Sequence, residues 1–132
     1  MKKIIYPTPE EIIEYNILVL NILKVKKADK HGVLDYGKIV ELIEGCKNLQ
    51  GNIYDKAVFL LKCLVQKHPF ASGNRRTAIV VVKDFLLINN AKFEIKDDPK
   101  YAKVLIGIRE NFYTDSEIRR WIKNGEIRQF SR

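Results

Sequence analysis

The chain has 132 residues, of which 46% are hydrophobic and 30% charged, with seven glycines and four prolines. That suits one domain over residues 1–132, with a core over about 6–124, and excludes extended disorder. A net charge of +8 implies an anionic partner, and no apolar run approaches the roughly 18 residues of a membrane-spanning helix.

The start, Met1-Lys2-Lys3-Ile4-Ile5-Tyr6-Pro7, is basic. It lacks the apolar stretch and small-residue cleavage site of a signal peptide, so a cytoplasmic location is expected. Thr8 then reads as an N-cap, Pro9 suits the first helical position, and Glu11 completes a capping box. Ile12, Ile13, Asn16, Ile17, Leu20 and Leu23 trace one mostly apolar face of this first helix. The basic stretch from Lys24 to Gly32 reads as a loop. Asp35 caps a second helix with apolar positions Ile39, Val40, Leu42 and Ile43, ending at Gly45 or Gly51. Cys46 to Asn52 is polar and reads as a loop or flap, with Lys47 and Asn48 solvated.

A third helix is predicted over Ile53 to Lys67, with Ala57, Leu60, Leu61 and Leu64 on one face. Pro69 disfavours the helical region for His68, so the helix stops there. In the segment from Thr77 to Ile88 only Lys83 and Asp84 are charged. Such a helix belongs at the centre of a domain. The β-branched residues among Ile79 to Val82 suggest a buried strand instead, but the apolar run is too long for one. Lys92 to Ile95 reads as a short extended piece. Asp98-Pro99 opens a fifth helix, and the capping box of Thr114 and Glu117 opens a sixth that ends at Asn124-Gly125. The last residues, 128–132, are expected to fray. The expected fold is all-α, a compact bundle of about six helices around a central buried helix, with little or no sheet. The two cysteines, Cys46 and Cys63, form no C-x-x-C pair and read as free thiols, one of them buried. With His31 and His68 at irregular spacing they do not make a zinc site.

The segment from His68 to Thr77 carries the chemistry. A histidine ends one helix, a turn with Gly73 follows, and the central helix begins near Asn74 with two arginines in its first turn. A helix N-terminus offers unsatisfied N–H groups and a positive dipole end. A glycine before it lets a phosphate approach the backbone. Arg75 and Arg76 repel that positive end, and a bound anion turns the repulsion into attraction. His68 at the mouth of the turn suits a general base near neutral pH. The residues also allow a plain structural corner, with Phe70 in the core, His68 bonded to a carbonyl and the arginines merely solvated.

The run His68-Pro69-Phe70-Ala71-Ser72-Gly73-Asn74-Arg75-Arg76 resembles the signature of the Fic/Doc family, His-x-Phe-x-Asp/Glu-Gly/Ala-Asn-Gly/Lys-Arg. It matches at His68, Phe70, Gly73, Asn74 and Arg76 without a gap. The short all-α layout and the Thr77-Ala78 that follows resemble the Doc-type (death-on-curing) members. The resemblance covers roughly residues 6 to 124, weakly outside the motif. It implies that His68 deprotonates a target hydroxyl, that Gly73 and Asn74 build an anion cradle, that Arg76 binds nucleotide phosphate, and that Phe70 anchors the loop in the core. Glycine at position 75 goes with AMP transfer from ATP, and lysine there with phosphate transfer. Arg75 resembles the second arrangement, although arginine is bulkier and planar. By the same analogy the flap from Cys46 to Asn52 docks the target chain.

Ser72 departs from the pattern. The family places an acidic residue there to hold Mg²⁺ against the phosphates. A serine hydroxyl can ligate Mg²⁺, but without a carboxylate the affinity falls. Asp84 cannot substitute, because it lies about 15 Å from Asn74 along the same helix. Three readings follow. The first is a transferase that moves a phosphoryl group, or with less support AMP, from ATP to a Ser/Thr hydroxyl of a target protein. It would belong to a toxin–antitoxin pair and be controlled in trans by an antitoxin protein. The second is a scaffold that binds nucleotide, acidic protein or nucleic acid without turnover. The third is nucleic-acid binding, for which no helix-turn-helix or zinc-finger signature is present.

Overall fold

The computed structural model describes residues 3–23 and 32–131. The basic stretch predicted as a loop lies outside the described residues, apart from Gly32. Among the described residues there are six α-helices and no strand: α1 (Pro9–Leu23), α2 (Tyr36–Asn48), α3 (Ile53–Lys67), α4 (Asn74–Ile88), α5 (Lys100–Arg109) and α6 (Asp115–Asn124). None is long and apolar enough to cross a membrane. The fold is the predicted all-α bundle.

Local side chains set most of the helix starts. Thr8 Oγ1 accepts the Glu11 N–H at 3.1 Å, and the Glu11 carboxylate accepts the Thr8 N–H at 3.0 Å. Thr114 and Glu117 repeat this box on α6. Asn52 and Asp55 form a third on α3, and Asp35 caps α2. Each box satisfies donors that the first helical turn leaves bare.

The core lies around α3, which packs against α2, α4, α5 and α6. The predicted central helix, α4, is sandwiched between α1 and α3. It is helical across Ile79 to Val82, where a strand competed in the sequence. Its buried face runs from Thr77 to Leu86, while Leu87 and Ile88 emerge half exposed beside Ile5 and Asn89.

Three expectations fail. The second helix stops at neither Gly45 nor Gly51. It continues through Cys46 to Asn48, because Lys56 of α3 closes its end from inside: Nζ donates to the carbonyls of Cys46 and Leu49, each at 2.8 Å. Gly45 instead makes room for α3, since a Cβ there would stand 2.6 Å from Phe59 Cζ. Both cysteines are buried, not one, and burial pushes the Cys46 thiol up to about 12. The tail is docked at Arg128 and Phe130, not frayed, while Arg132 lies outside the described residues. Tyr113 donates its hydroxyl to the Arg128 carbonyl at 3.0 Å, and the Phe130 ring meets the Phe112 ring edge-on at 5.1 Å.

Candidate functional site

Residues 68–73 form the loop between α3 and α4, and Asn74, Arg75 and Arg76 open the first turn of α4. His68 closes α3 in the left-handed conformation, with φ 47° and ψ 61°. Its neighbour Lys67 has its carbonyl capped at 3.0 Å by Lys38 of α2. The His68 side chain is exposed, and among the described residues nothing hydrogen-bonds it. The structural-corner reading needs that imidazole on a carbonyl, and it is not there.

Phe70 is 1% exposed and anchors the loop in the core. Asn74 holds the loop's shape: its Oδ1 accepts the Phe70 N–H at 3.0 Å and its Nδ2 donates to the Phe70 carbonyl at 2.9 Å. Both ends of the Asn74 amide are engaged in this way, and its backbone N–H has no partner among the described residues. Gly73 has φ 75°, a left-handed position that suits glycine. A Cβ there would lie 3.1 Å from Leu20 Cδ2 and 3.3 Å from Asn16 Nδ2.

The first N–H of α4 with a backbone acceptor is that of Thr77, which donates to the Gly73 carbonyl at 2.9 Å. Gly73 has no side chain to cap the N–H groups before it. The first turn thus presents bare donors and carries Arg75 and Arg76, both exposed. The two arginines differ. Arg75 has no ion-pair partner among the described residues. Arg76 leans on α5: its Cζ lies 5.3 Å from the Tyr101 ring centroid and its Nη1 is 4.0 Å from Asp97 Oδ1. Burial raises the pKa of the Tyr101 hydroxyl, and the Arg76 charge opposes that rise.

Residues 32–35 lie against the loop. Val33 bridges Phe70 in an antiparallel sense, the Leu34 N–H donates to the Pro69 carbonyl at 2.8 Å, and the Ala71 N–H donates to the Gly32 carbonyl at 2.8 Å. The flap predicted at Cys46 to Asn52 is elsewhere. It ends α2 and leads into the start of α3, while His68 ends the same 15-residue helix, about 22 Å away. Sequence reasoning missed 32–35, which is short and has no distinguishing composition. It placed Asn16 on the apolar face of the first helix but drew nothing from it, although a lone amide in an apolar stripe was a usable signal. A cavity of about 700 Å³ between α5 and the tail contains none of residues 68–76.

A helix N-terminus with bare donors, two arginines and an accessible histidine can bind a phosphate and take a proton beside it. The model of one known family, described as Fic/DOC family, matches residues 5–86, more than half of the chain. The chain belongs to the Fic/DOC family. No curated protein matches it. The match starts just before α1 and ends within α4, so it covers both helices that clasp the loop. The site of this Fic/DOC chain departs from the signature at Ser72. Among the described residues no group of three or more His, Cys, Asp or Glu side chains is placed to hold a metal ion. At the loop itself the donor set is one serine hydroxyl, and Asp84 is engaged with the Tyr15 hydroxyl. Mg²⁺ favours carboxylates together with substrate phosphates, so these residues do not fit a protein-held Mg²⁺ site.

Proposed function

We propose that this Fic/DOC protein is a Doc-like, nucleotide-dependent transferase. It moves the γ-phosphoryl group of ATP to a Ser or Thr hydroxyl of a target protein in the cytoplasm. The observation that carries this is the accessible, unbonded His68 imidazole at the same loop as the bare first turn of α4. In the reaction His68 takes the proton of the target hydroxyl. The hydroxyl oxygen forms a bond to the γ-phosphorus, the bond to the β,γ-bridging oxygen breaks, and ADP leaves with that electron pair. The transition state is loose, and catalysis is mostly positioning and charge stabilisation. Here that work falls to the N–H groups of Gly73, Asn74 and Arg75 and to the guanidinium groups of Arg75 and Arg76. A cation at position 75 supports phosphoryl over AMP transfer. Residues 32–35, beside the loop, are better placed to seat the target than 46–52. As a toxin of a toxin–antitoxin pair, the protein is held inactive in trans by an antitoxin protein.

A second reading is favoured by Ser72 and by Arg76. With no carboxylate on the loop, and with Arg76 turned toward Asp97 and Tyr101, the scaffold binds nucleotide or an acidic protein without turnover.

Label transfer separates the two. The protein is incubated with cell lysate, Mg²⁺ and ATP labelled at either the γ- or the α-phosphate, beside His68→Ala. A target band labelled from the γ-phosphate, weakened about 10²–10⁴-fold in the variant, is the result expected of a transferase. A band from the α-phosphate alone assigns AMP transfer. No band from either label leaves the binding scaffold.

A further inference from the structure

Asn16 stands on the buried face of α1 and is 0% exposed, between Ile12 and Val19 on a stripe that is otherwise apolar. A buried amide is costly unless its hydrogen bonds are made. Nδ2 donates to the Ser72 carbonyl at 2.9 Å and to Thr77 Oγ1 at 3.1 Å. The two acceptors flank the helix start: Ser72 precedes Gly73, and Thr77 is the first residue of α4 whose N–H is satisfied within the helix.

The peptide between Ser72 and Gly73 is trans, as is every described peptide. In a trans peptide the C=O and the following N–H point in opposite directions across one plane. A Ser72 carbonyl drawn onto α1 therefore aims the Gly73 N–H away from α1. The missing Cβ of Gly73 lets Asn16 and Leu20 stand this close. Asn74 fixes the loop from the Phe70 side, and among the described residues Asn16 is the side chain that grips the Ser72–Gly73 peptide.

Resting on the phosphate reading of the loop, we propose that Asn16 is a positioning residue: by holding the Ser72 carbonyl it turns the Gly73 N–H outward as a phosphate donor. It touches no substrate. The signature run does not contain it, and it acts from a different helix.

The test is a titration of ¹⁵N-labelled protein with ATP and Mg²⁺, following the Gly73 amide. In the parent that proton moves downfield and saturates. Thr77→Val removes one of the two bonds that Asn16 Nδ2 donates and keeps the Ser72 bond, so Gly73 still responds and the affinity stays within about twofold. Asn16→Leu removes both bonds; the Gly73 response is lost and ATP binds about tenfold more weakly, with the helical circular dichroism unchanged. Should Asn16→Leu fail to fold, Asn16→Asp keeps the shape but cannot donate at pH 7, and the same loss is expected. A parent-like Gly73 response and affinity in the Asn16 variants overturns the positioning role and leaves the phosphate site standing. A parent whose residues 72–76 ignore ATP overturns the phosphate site, and the role of Asn16 with it.

Discussion

The side chain of Asn74 exchanges two hydrogen bonds with the backbone of Phe70, closing the turn between α3 and α4 on itself. Both groups are partly buried, so water replaces them poorly. Asn74→Ala removes both bonds, and at about 1 kcal/mol each the expected loss of stability is about 2 kcal/mol. Urea denaturation measures it. Phosphoryl transfer should fall further than stability does, because the surviving folded molecules no longer hold the N–H groups of residues 73–75 in one direction.

Gly73 sits at a positive φ that suits glycine. At φ 75° an alanine costs about 1–2 kcal/mol in strain. Its Cβ also meets the Leu20 and Asn16 side chains at 3.1 and 3.3 Å, so these must give by a few tenths of an ångström. Gly73→Ala is expected to lower the urea midpoint and to weaken ATP binding, read by the same titration. An alanine variant with the parent's midpoint and affinity would show that the loop tolerates a second geometry.

Much of this was legible in the sequence because its signals are local. Thr8 with Glu11, Asp35, Thr114 with Glu117, and Gly125 are start and stop marks that act within one turn, and each works in the structure as read. The His68–Arg76 run is contiguous, so its loop was legible too. What stayed hidden depends on partners far along the chain. The end of α2 is decided by Lys56 of α3, not by Gly45. The tail is held by Tyr113 and Phe112, and the lean of Arg76 is set by Asp97 and Tyr101. No periodicity announces such pairings.

Lys56 gives the test of that hidden cap. It is 5% exposed, and Nζ reaches three carbonyls: Cys46 and Leu49 at 2.8 Å and Lys47 at 3.4 Å. A cation at a helix C-terminus also interacts favourably with the dipole. Lys56→Met keeps the aliphatic stem but removes the ammonium donor, and the Cys46 carbonyl keeps the Leu49 N–H, at 3.4 Å. The expected cost is about 3 kcal/mol by urea denaturation. Because 46–52 and His68 sit at opposite ends of α3, transfer activity per folded molecule should be unchanged. A parallel loss of activity would show that the start of α3 reports to the loop.

The tail supplies the pH dependence. Arg128 donates to both carboxylate oxygens of Glu117, through Nε and, at 3.2 Å, through Nη2. That bond, with the Thr114 N–H next, holds the Glu117 carboxyl down to about 2 from an ordinary 4.5. A carboxyl lowered in the folded state stabilises above its unfolded value, and the gain disappears as the pH falls through its folded value. Stability should therefore be flat above about pH 4.5 in this respect and should decline from there toward pH 2. Glu117→Gln, which keeps a capping amide but no charge, should show a shallower decline over that window. The pair is exposed, so high salt should shrink the difference between the two proteins. Identical acid limbs for parent and variant would mean that the Arg128–Glu117 contact contributes nothing in solution and that the tail is held by its other contacts, among them Phe130, the Tyr113 hydroxyl and the Arg128 bond to the Phe112 carbonyl.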